Sequence, residues 1–211
     1  MRRSWTVATC ALALGAVALV PGAVTAQQRT EITPFVASYY HLTHLGEGDA
    51  GLITGNPFTI DQKNAFAFGG RITVPIGARV SVEGEFAYSM SGVTIEEEDI
   101  GGNGINGGIS QDGSIIYGSL RAVINPRRSN LFLLAGPAVI ARGGDAWDGV
   151  DGTTDFGGVV GFGFRANVTP RFRVNFTAES YLYSFSTEGS DSKFQSDILV
   201  SLGIPISLGG H

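Results

Sequence analysis

The chain has 211 residues, of which 14 are basic and 19 acidic, and it carries a formal net charge of −5. This acidic balance argues against a nucleic-acid partner, and a single cysteine, Cys10, excludes an internal disulfide and a metal site built from cysteines. A charged fraction of only 16%, with 31 glycines and 13 phenylalanines, is not typical of a helical protein.

The first residues predict an export signal. Arg2 and Arg3 precede an apolar run over residues 5–20, which is shorter than the roughly 20 residues that a membrane-spanning helix needs. Small residues at Val24-Thr25-Ala26 suit a signal peptidase, so we predict a signal peptide over residues 1–26 and one mature domain over residues 27–211. The alternatives are an uncleaved anchor, a lipoprotein anchored at Cys10 and a twin-arginine signal.

Eight later segments alternate between bulky apolar residues and small or polar ones, which is typical of a β-strand with two unlike faces. In the segment at residues 65–76, for example, the even-numbered Phe66, Phe68 and Ile72 form an apolar face, whereas the odd-numbered Arg71 lies on the other face. For the segment at residues 131–142, the residues do not indicate which of its two faces points to lipid. In chain order the segments cover residues 32–42, 65–76, 80–91, 114–124, 131–142, 155–168, 172–179 and 194–208.

The lengths of these segments and of their connections indicate a membrane barrel. Most of these segments have about 10 to 13 residues, close to the 9 to 11 that a tilted strand needs to cross a bilayer. Short connections at residues 76–79, 125–130 and 168–171 alternate with long ones at residues 43–64, 92–113, 143–154 and 186–193. We therefore predict an all-β chain that forms a single eight-stranded antiparallel up-and-down transmembrane β-barrel. Its short turns would face the periplasm and its long loops the exterior of a bacterial outer membrane.

With this layout the chain resembles the small eight-stranded outer-membrane barrels of the OmpA and OmpX type, over nearly all of residues 30–208. The resemblance is carried by the pattern and by the segments at residues 66–71 and 161–165. It implies a fold and no particular activity. We expect outer-membrane lipid and lipopolysaccharide around the barrel, the outer-membrane assembly machinery as a partner, a monomeric state and no nucleic-acid partner.

A soluble lipocalin-like barrel is the competing architecture, since it also alternates but turns its apolar face inward. Such a barrel would carry lysines on its exterior strands. Lys63 and Lys193 are the only two lysines of this chain, and both lie near predicted long loops. The scarcity of lysine therefore favours the membrane barrel.

An eight-stranded barrel is only wide enough for its own side chains to fill the interior, and charged groups enclosed there must pair. The short turn around Gly77 would place Arg71 opposite Glu83 or Glu85. We predict a structural network of ion pairs inside the barrel, formed by Arg71, Glu83, Glu85, Arg121, Arg165, Arg173, Glu179 and Asp197.

No residue is predicted to be catalytic, to bind a cofactor or to bind a metal. The acidic residues at 96–99 and at 145, 148, 151 and 155 are expected to be solvated loop carboxylates rather than a calcium site. His41 and His44 are expected at the polar rim, level with Ser89 and Ser91, and not as catalytic bases. An interfacial girdle is expected from Tyr39, Tyr40, Tyr88, Tyr117, Tyr181, Tyr183 and Phe185.

These features predict an integral outer-membrane protein with a structural or surface-interaction role and an interior filled by side chains. Two alternatives stay open, a lipid A-modifying enzyme and a narrow pore for small solutes.

Overall fold

The computed structural model describes residues 29–43, 46–48, 58–97, 108–126, 129–148, 153–169, 172–185 and 193–208. The predicted signal peptide and His44 lie outside these residues, as do parts of all four predicted long loops. No helix within the described ranges is both long enough and apolar enough to cross a membrane.

The described residues form thirteen strands and one short 3-10 helix, Asp145–Trp147. The strands are β1 (Glu31–His41), β2 (Gly46–Gly48), β3 (Phe58–Gln62), β4 (Ala65–Pro75), β5 (Val80–Ser89), β6 (Val93–Glu97), β7 (Gly108–Gln111), β8 (Ser114–Ile124), β9 (Leu131–Gly143), β10 (Thr154–Thr169), β11 (Phe172–Phe185), β12 (Lys193–Gly203) and β13 (Ile206–Ser207).

Eight of these strands close into an antiparallel barrel, in the order β12-β11-β10-β9-β8-β5-β4-β1 with β12 paired again to β1. The closing ladder runs from Phe35 opposite Gly203 to His41 opposite Asp197. The predicted eight-stranded barrel is confirmed. β11 extends to Phe185, six residues beyond the predicted segment, and so reaches further toward the long loops.

The bulky apolar side chains point away from the barrel and the ionisable ones point into it. Phe66 is 82% exposed, whereas Arg71 and Glu85 on the same hairpin are buried. A lipocalin-like arrangement would have the opposite orientation, so the soluble alternative is excluded. On β9, the strand that the sequence left undecided, Leu131 and Leu133 face outward and the even-numbered residues face the interior.

Four short strands form a second sheet beyond the long-loop ends of the barrel, in the order β2-β3-β6-β7. Parts of the predicted loops 43–64 and 92–113 are therefore strands, which corrects the sequence interpretation. β3 leads directly into β4, and β6 follows β5, so the second sheet continues the wall formed by β1, β4, β5 and β8. Threonine and isoleucine in β3 and β6 suit a strand, but each run has only five residues and the alternation is too brief to stand out from a loop.

Candidate functional site: the barrel interior

A cluster of charged side chains spans the barrel interior from wall to wall, at a level between the two ends of the barrel. Arg71 on β4 lies directly opposite Glu85 on β5, and Glu83 on β5 lies directly opposite Arg121 on β8. Glu179 reaches the same two arginines from β11. We call these five residues the central cluster; all five are buried.

Arg121 holds the central cluster together because it contacts all three carboxylates. Its Nη2 lies 2.7 Å from Glu83 Oε1 and 2.7 Å from Glu85 Oε2, and its Nη1 lies 2.9 Å from Glu179 Oε2. Arg71 Nε donates to Glu85 at 2.5 Å, and Arg71 Nη2 donates to Glu179 at 2.9 Å. Charge-assisted hydrogen bonds of this kind offset the free-energy cost of enclosing charged side chains in a low-dielectric interior.

Hydroxyl groups satisfy the remaining acceptors and donors of the central cluster. Tyr181 Oη donates to Glu85, Thr73 Oγ1 donates to Glu83 at 2.5 Å, and Ser201 Oγ accepts from Arg71 at 2.7 Å. Two arginines and three carboxylates leave one formal negative charge, which these hydrogen bonds stabilise.

A second layer closes the interior nearer the long loops. Tyr39, Tyr117, Tyr181 and Tyr183 are all buried there, with ring centroids 5.7 Å apart for Tyr39 and Tyr117 and 4.7 Å apart for Tyr117 and Tyr181. Two of them bind one carboxylate, since Tyr117 Oη and Tyr183 Oη donate to Asp197 at 3.1 and 2.8 Å. The interior is thus filled by aromatic rings on this side of the central cluster.

The predicted interfacial girdle is wrong for Tyr39, Tyr117, Tyr181, Tyr183 and Phe185, which are buried inside the barrel. Each has an odd number on a strand whose odd residues face the interior, so alternation determines their direction more strongly than the general preference of tyrosine for the interface. Tyr40 and Tyr88 have even numbers and point outward; Tyr40 is exposed and Tyr88 is half-buried.

His41 and Asp197 form a pair at the same level. His41 Nδ1 lies 2.5 Å from Asp197 Oδ1, and the two residues are directly opposite in the ladder that closes the barrel. The side chain of His41 is only 3% exposed, so it is not a rim residue as expected. Its Nε2 is buried and has no hydrogen-bond partner within the described residues, so no nucleophile of that part of the chain is bound to it.

Arg142 and Asp155 form an ion pair that the sequence reasoning missed. The Arg142 guanidinium lies 4.6 Å from the Phe185 ring centroid, 5.0 Å from that of Tyr183 and 5.4 Å from that of Trp147. Asp155 was expected to be a solvated loop carboxylate, but it is an inward residue of β10 and is buried. Asp155 has an odd number, as does the inward residue Arg165 on the same strand, and this parity could have predicted that Asp155 faces the interior.

The short-turn end of the barrel holds a separate group of charges around a cavity of about 230 Å³. Arg29, Arg165 and Arg173 line this cavity together with Glu31. Arg173 Nη2 donates to Glu31 Oε1 at 2.7 Å. Arg165 Nη1 donates to the amide oxygen of Asn125 at 2.9 Å, and its guanidinium stacks 4.8 Å from the Phe132 ring centroid.

The eight residues of the predicted network therefore do not form one set. Arg71, Glu83, Glu85, Arg121 and Glu179 come together in the central cluster, whereas Arg165 and Arg173 lie at the short-turn end and Asp197 pairs with His41 on the other side. All eight side chains point to the barrel interior or its mouth, as their odd-numbered positions in the strands require. The three groups lie at different heights along the barrel, so residues of one group do not contact those of another.

Within the described ranges, no three or more histidine, cysteine or acidic residues lie close enough together to hold a metal ion. Asp145 and Asp148 are exposed, while Glu98, Asp99 and Asp151 lie outside the described residues.

Comparison with known proteins places the chain among outer-membrane barrels. A family model described as outer membrane protein beta-barrel domain matches residues 9–204. The crystal structure of OprG from Pseudomonas aeruginosa is similar with a TM-score of 0.55 at 10% identity, covering 85% of this chain and 96% of OprG. The solid-state NMR structure of AlkL in lipid bilayers is similar with a TM-score of 0.52 at 12% identity, covering 92% of this chain and 97% of AlkL. No curated protein matches the sequence at a significant level. At such identities the likeness to the two structures concerns the fold alone.

Proposed function

The chain belongs to the outer membrane protein β-barrel domain family, and we propose that within this family it acts as a closed membrane anchor that presents a sheet at the cell surface. The observation that carries the proposal is the central cluster, which fills the interior where a pore would need water. The role that we assign is contact with a partner outside the cell, through the second sheet and the loops joined to it.

Solute passage would have to break the contacts of Arg121 with Glu83, Glu85 and Glu179. Each of these carboxylates would then be left with fewer partners in an interior filled by side chains, and leaving a buried charge unpaired costs several kcal/mol. The tyrosine layer adds a second barrier on the long-loop side. These two layers support a closed barrel over the narrow-pore alternative.

The second sheet supports the surface role because hydrogen bonds link the segments that connect it to the barrel strands β4 and β5. Lys63 N donates to Gly92 O at 2.9 Å, Ser91 Oγ donates to Lys63 O, and Lys63 Nζ donates to Ser110 Oγ at 2.6 Å. Lys63 and Ser110 are exposed. A sheet that continues the barrel wall presents its exposed residues on paired strands, which suits recognition better than an unpaired loop does.

Conductance across a planar bilayer tests the closed barrel. The folded protein is expected to give no current steps above the lipid background, and the change of gel mobility on boiling would show that folded protein was added. Current steps from the wild-type protein that scale with its concentration would refute the closed barrel and favour the pore.

Labelling of single cysteines in whole cells tests the surface sheet. In a Cys10→Ala background, Ser110→Cys on β7 is expected to react with a membrane-impermeant maleimide in intact cells. Ala78→Cys, a position on the short turn that is also exposed, is the matched control and is expected to react only after the outer membrane is permeabilised. Labelling of Ala78→Cys but not of Ser110→Cys in intact cells would reverse the orientation.

Lipid A modification is the second candidate, favoured by one observation. His41 paired with Asp197 is the arrangement of a general base with its orienting carboxylate. The pair lies inside the barrel rather than on its lipid face, which argues for a structural role. Mass spectrometry of lipid A from cells with and without the protein separates the two: an unchanged spectrum supports the anchor, and a change that His41→Ala abolishes supports the enzyme.

A further inference from the structure

Among the arginines of the described barrel strands, Arg165 is the one with no carboxylate within ion-pair distance. Arg71, Arg121, Arg142 and Arg173 each contact a glutamate or an aspartate. Within the described residues the Arg165 guanidinium donates to the neutral amide of Asn125 and stacks on the ring of Phe132, and its buried Nε has no hydrogen-bond partner there. Glu31 and Glu83 act on this half-buried guanidinium only from beyond ion-pair distance. An anion from solution or from the membrane that contacted Arg165 directly would therefore stabilise its charge.

The cavity beside Arg165 has the size and charge to hold such an anion. Its volume of about 230 Å³ exceeds the roughly 30 Å³ that one water occupies in the liquid several times over. Three arginines line it against one carboxylate, Glu31, which Arg173 already engages. Glu83 lies one layer deeper, joined to the lining residue Thr73, and is itself held by Arg121. Arginines therefore outnumber carboxylates at this end of the barrel even when Glu83 is counted.

The chemistry of the lining favours a phosphate group over a simple halide. Guanidinium groups match the oxygens of phosphate in pairs of parallel hydrogen bonds, and Ser81 and Asn125 add neutral polar groups around the same space. We propose that the short-turn mouth of the barrel is a binding pocket for a phosphate group, carried either by a free phosphate or by the headgroup of an anionic phospholipid. Arg29, Arg165 and Arg173 supply the positive charge. The short turns face the periplasm in barrels of this kind, so the pocket would open toward that leaflet.

Binding can be followed on the full mature chain folded in maltoside micelles, which contain no phosphate of their own. The signal of the Arg165 Nε–H group in nitrogen-15 NMR spectra is recorded while inorganic phosphate replaces chloride at constant ionic strength. A second titration adds phosphatidylglycerol to the same micelles, with an uncharged diacylglycerol as its blank. We expect a saturable shift of the Arg165 signal in at least one titration.

Three variants with little risk to folding separate the pocket from general surface charge. Arg29→Gln removes an exposed arginine that lines the cavity and is expected to weaken binding about fivefold. Arg79→Gln removes an exposed arginine at the same end that does not line the cavity, and is expected to change the affinity by less than about twofold. Glu31→Gln removes the opposing carboxylate and is expected to tighten binding, by about fivefold. In a fourth variant, Arg165→Gln, we expect a loss of at least tenfold when binding is followed on the Arg173 signal.

Each outcome decides the proposal or the source of the ligand. A shift with inorganic phosphate alone supports a pocket for the free anion, a shift with phosphatidylglycerol alone supports a headgroup pocket, and a shift with both supports a site that accepts either. No saturable shift in either titration would overturn the proposal. Equal losses in Arg29→Gln and Arg79→Gln, or no tightening in Glu31→Gln, would also overturn it, because binding would then reflect the general charge of the turns.

Discussion

Removing Arg121 from the central cluster is expected to destabilise the barrel more than any change to an exposed ion pair. Arg121→Met keeps a long side chain but leaves three carboxylates facing Arg71 alone. The guanidinium donates four hydrogen bonds of 2.7 to 3.0 Å to Glu83, Glu85 and Glu179. Breaking a buried ion pair by removing one partner costs about 3–5 kcal/mol, because the remaining charge stays enclosed. We expect a loss of that size in the free energy of unfolding.

Two further variants make the measurement specific. Arg173→Met is the matched control, since it removes an arginine whose side chain is 35% exposed and whose ion pair within the described residues is with Glu31 alone; its cost is expected to be at most about 1 kcal/mol. The double variant Arg121→Met with Glu83→Gln restores the wild-type charge of the cluster. It is expected to recover about 1 kcal/mol or more of the loss, within the usual range for residues in one network.

The assay is unfolding by urea in detergent micelles, followed by the difference in gel mobility between folded and unfolded protein. The dependence of the unfolding free energy on urea should be the same for all variants, so that midpoints can be compared. A cost for Arg121→Met that equals the cost for Arg173→Met would refute the argument, because the central cluster would then behave like a solvated ion pair.

Two other predictions concern the outer face and the packing of the wall. Phe162, near the middle of β10, and Phe156, near its long-loop end, both point outward; Phe162→Lys is expected to cost about 2–4 kcal/mol in lipid vesicles and Phe156→Lys about 0–1 kcal/mol, and equal costs would show that the membrane does not lie where we place it. A Cβ on Gly163 would come 2.1 Å from the ring of Phe132, whereas one on Gly70 would have no neighbour within 4 Å. Gly163→Ala is therefore expected to cost about 1–3 kcal/mol in the urea assay and Gly70→Ala less than about 0.5 kcal/mol; similar values for both would contradict the close packing of that ring.

Local pattern was enough to predict the barrel and most of its faces. Successive side chains of a strand point to opposite sides whatever the rest of the chain does, so the alternation around Phe66 and Arg71 carries the orientation of the whole hairpin. The short turn at residues 76–79 also restricts register, and it left Glu83 and Glu85 as the two candidates opposite Arg71. The observed ladder selects Glu85.

The prediction from sequence was wrong where the general preference of tyrosine for the membrane interface was used in place of the alternation pattern. Tyr39 and Tyr117 have the same parity as inward residues of their own strands, yet the affinity of tyrosine for the interface led to the opposite expectation. Burial inside the barrel is possible because their hydroxyl groups find partners there: Tyr39 with Gln62 and Tyr117 with Asp197. Those partners come from other strands and cannot be read from the tyrosines themselves.

The amino-acid sequence by itself determined the number of long strands, the outward apolar face and the inward position of the charged residues, because these depend on a repeat of two residues within each strand. Only the tertiary structure decided which inward charges meet. Contacts such as Glu179 with Arg121, or His41 with Asp197, join strands far apart in the chain and depend on the stagger with which the barrel closes. That stagger sets the height of each side chain, and it left Arg165 lining a cavity with the amide of Asn125, and no carboxylate, as its hydrogen-bond partner within the described residues.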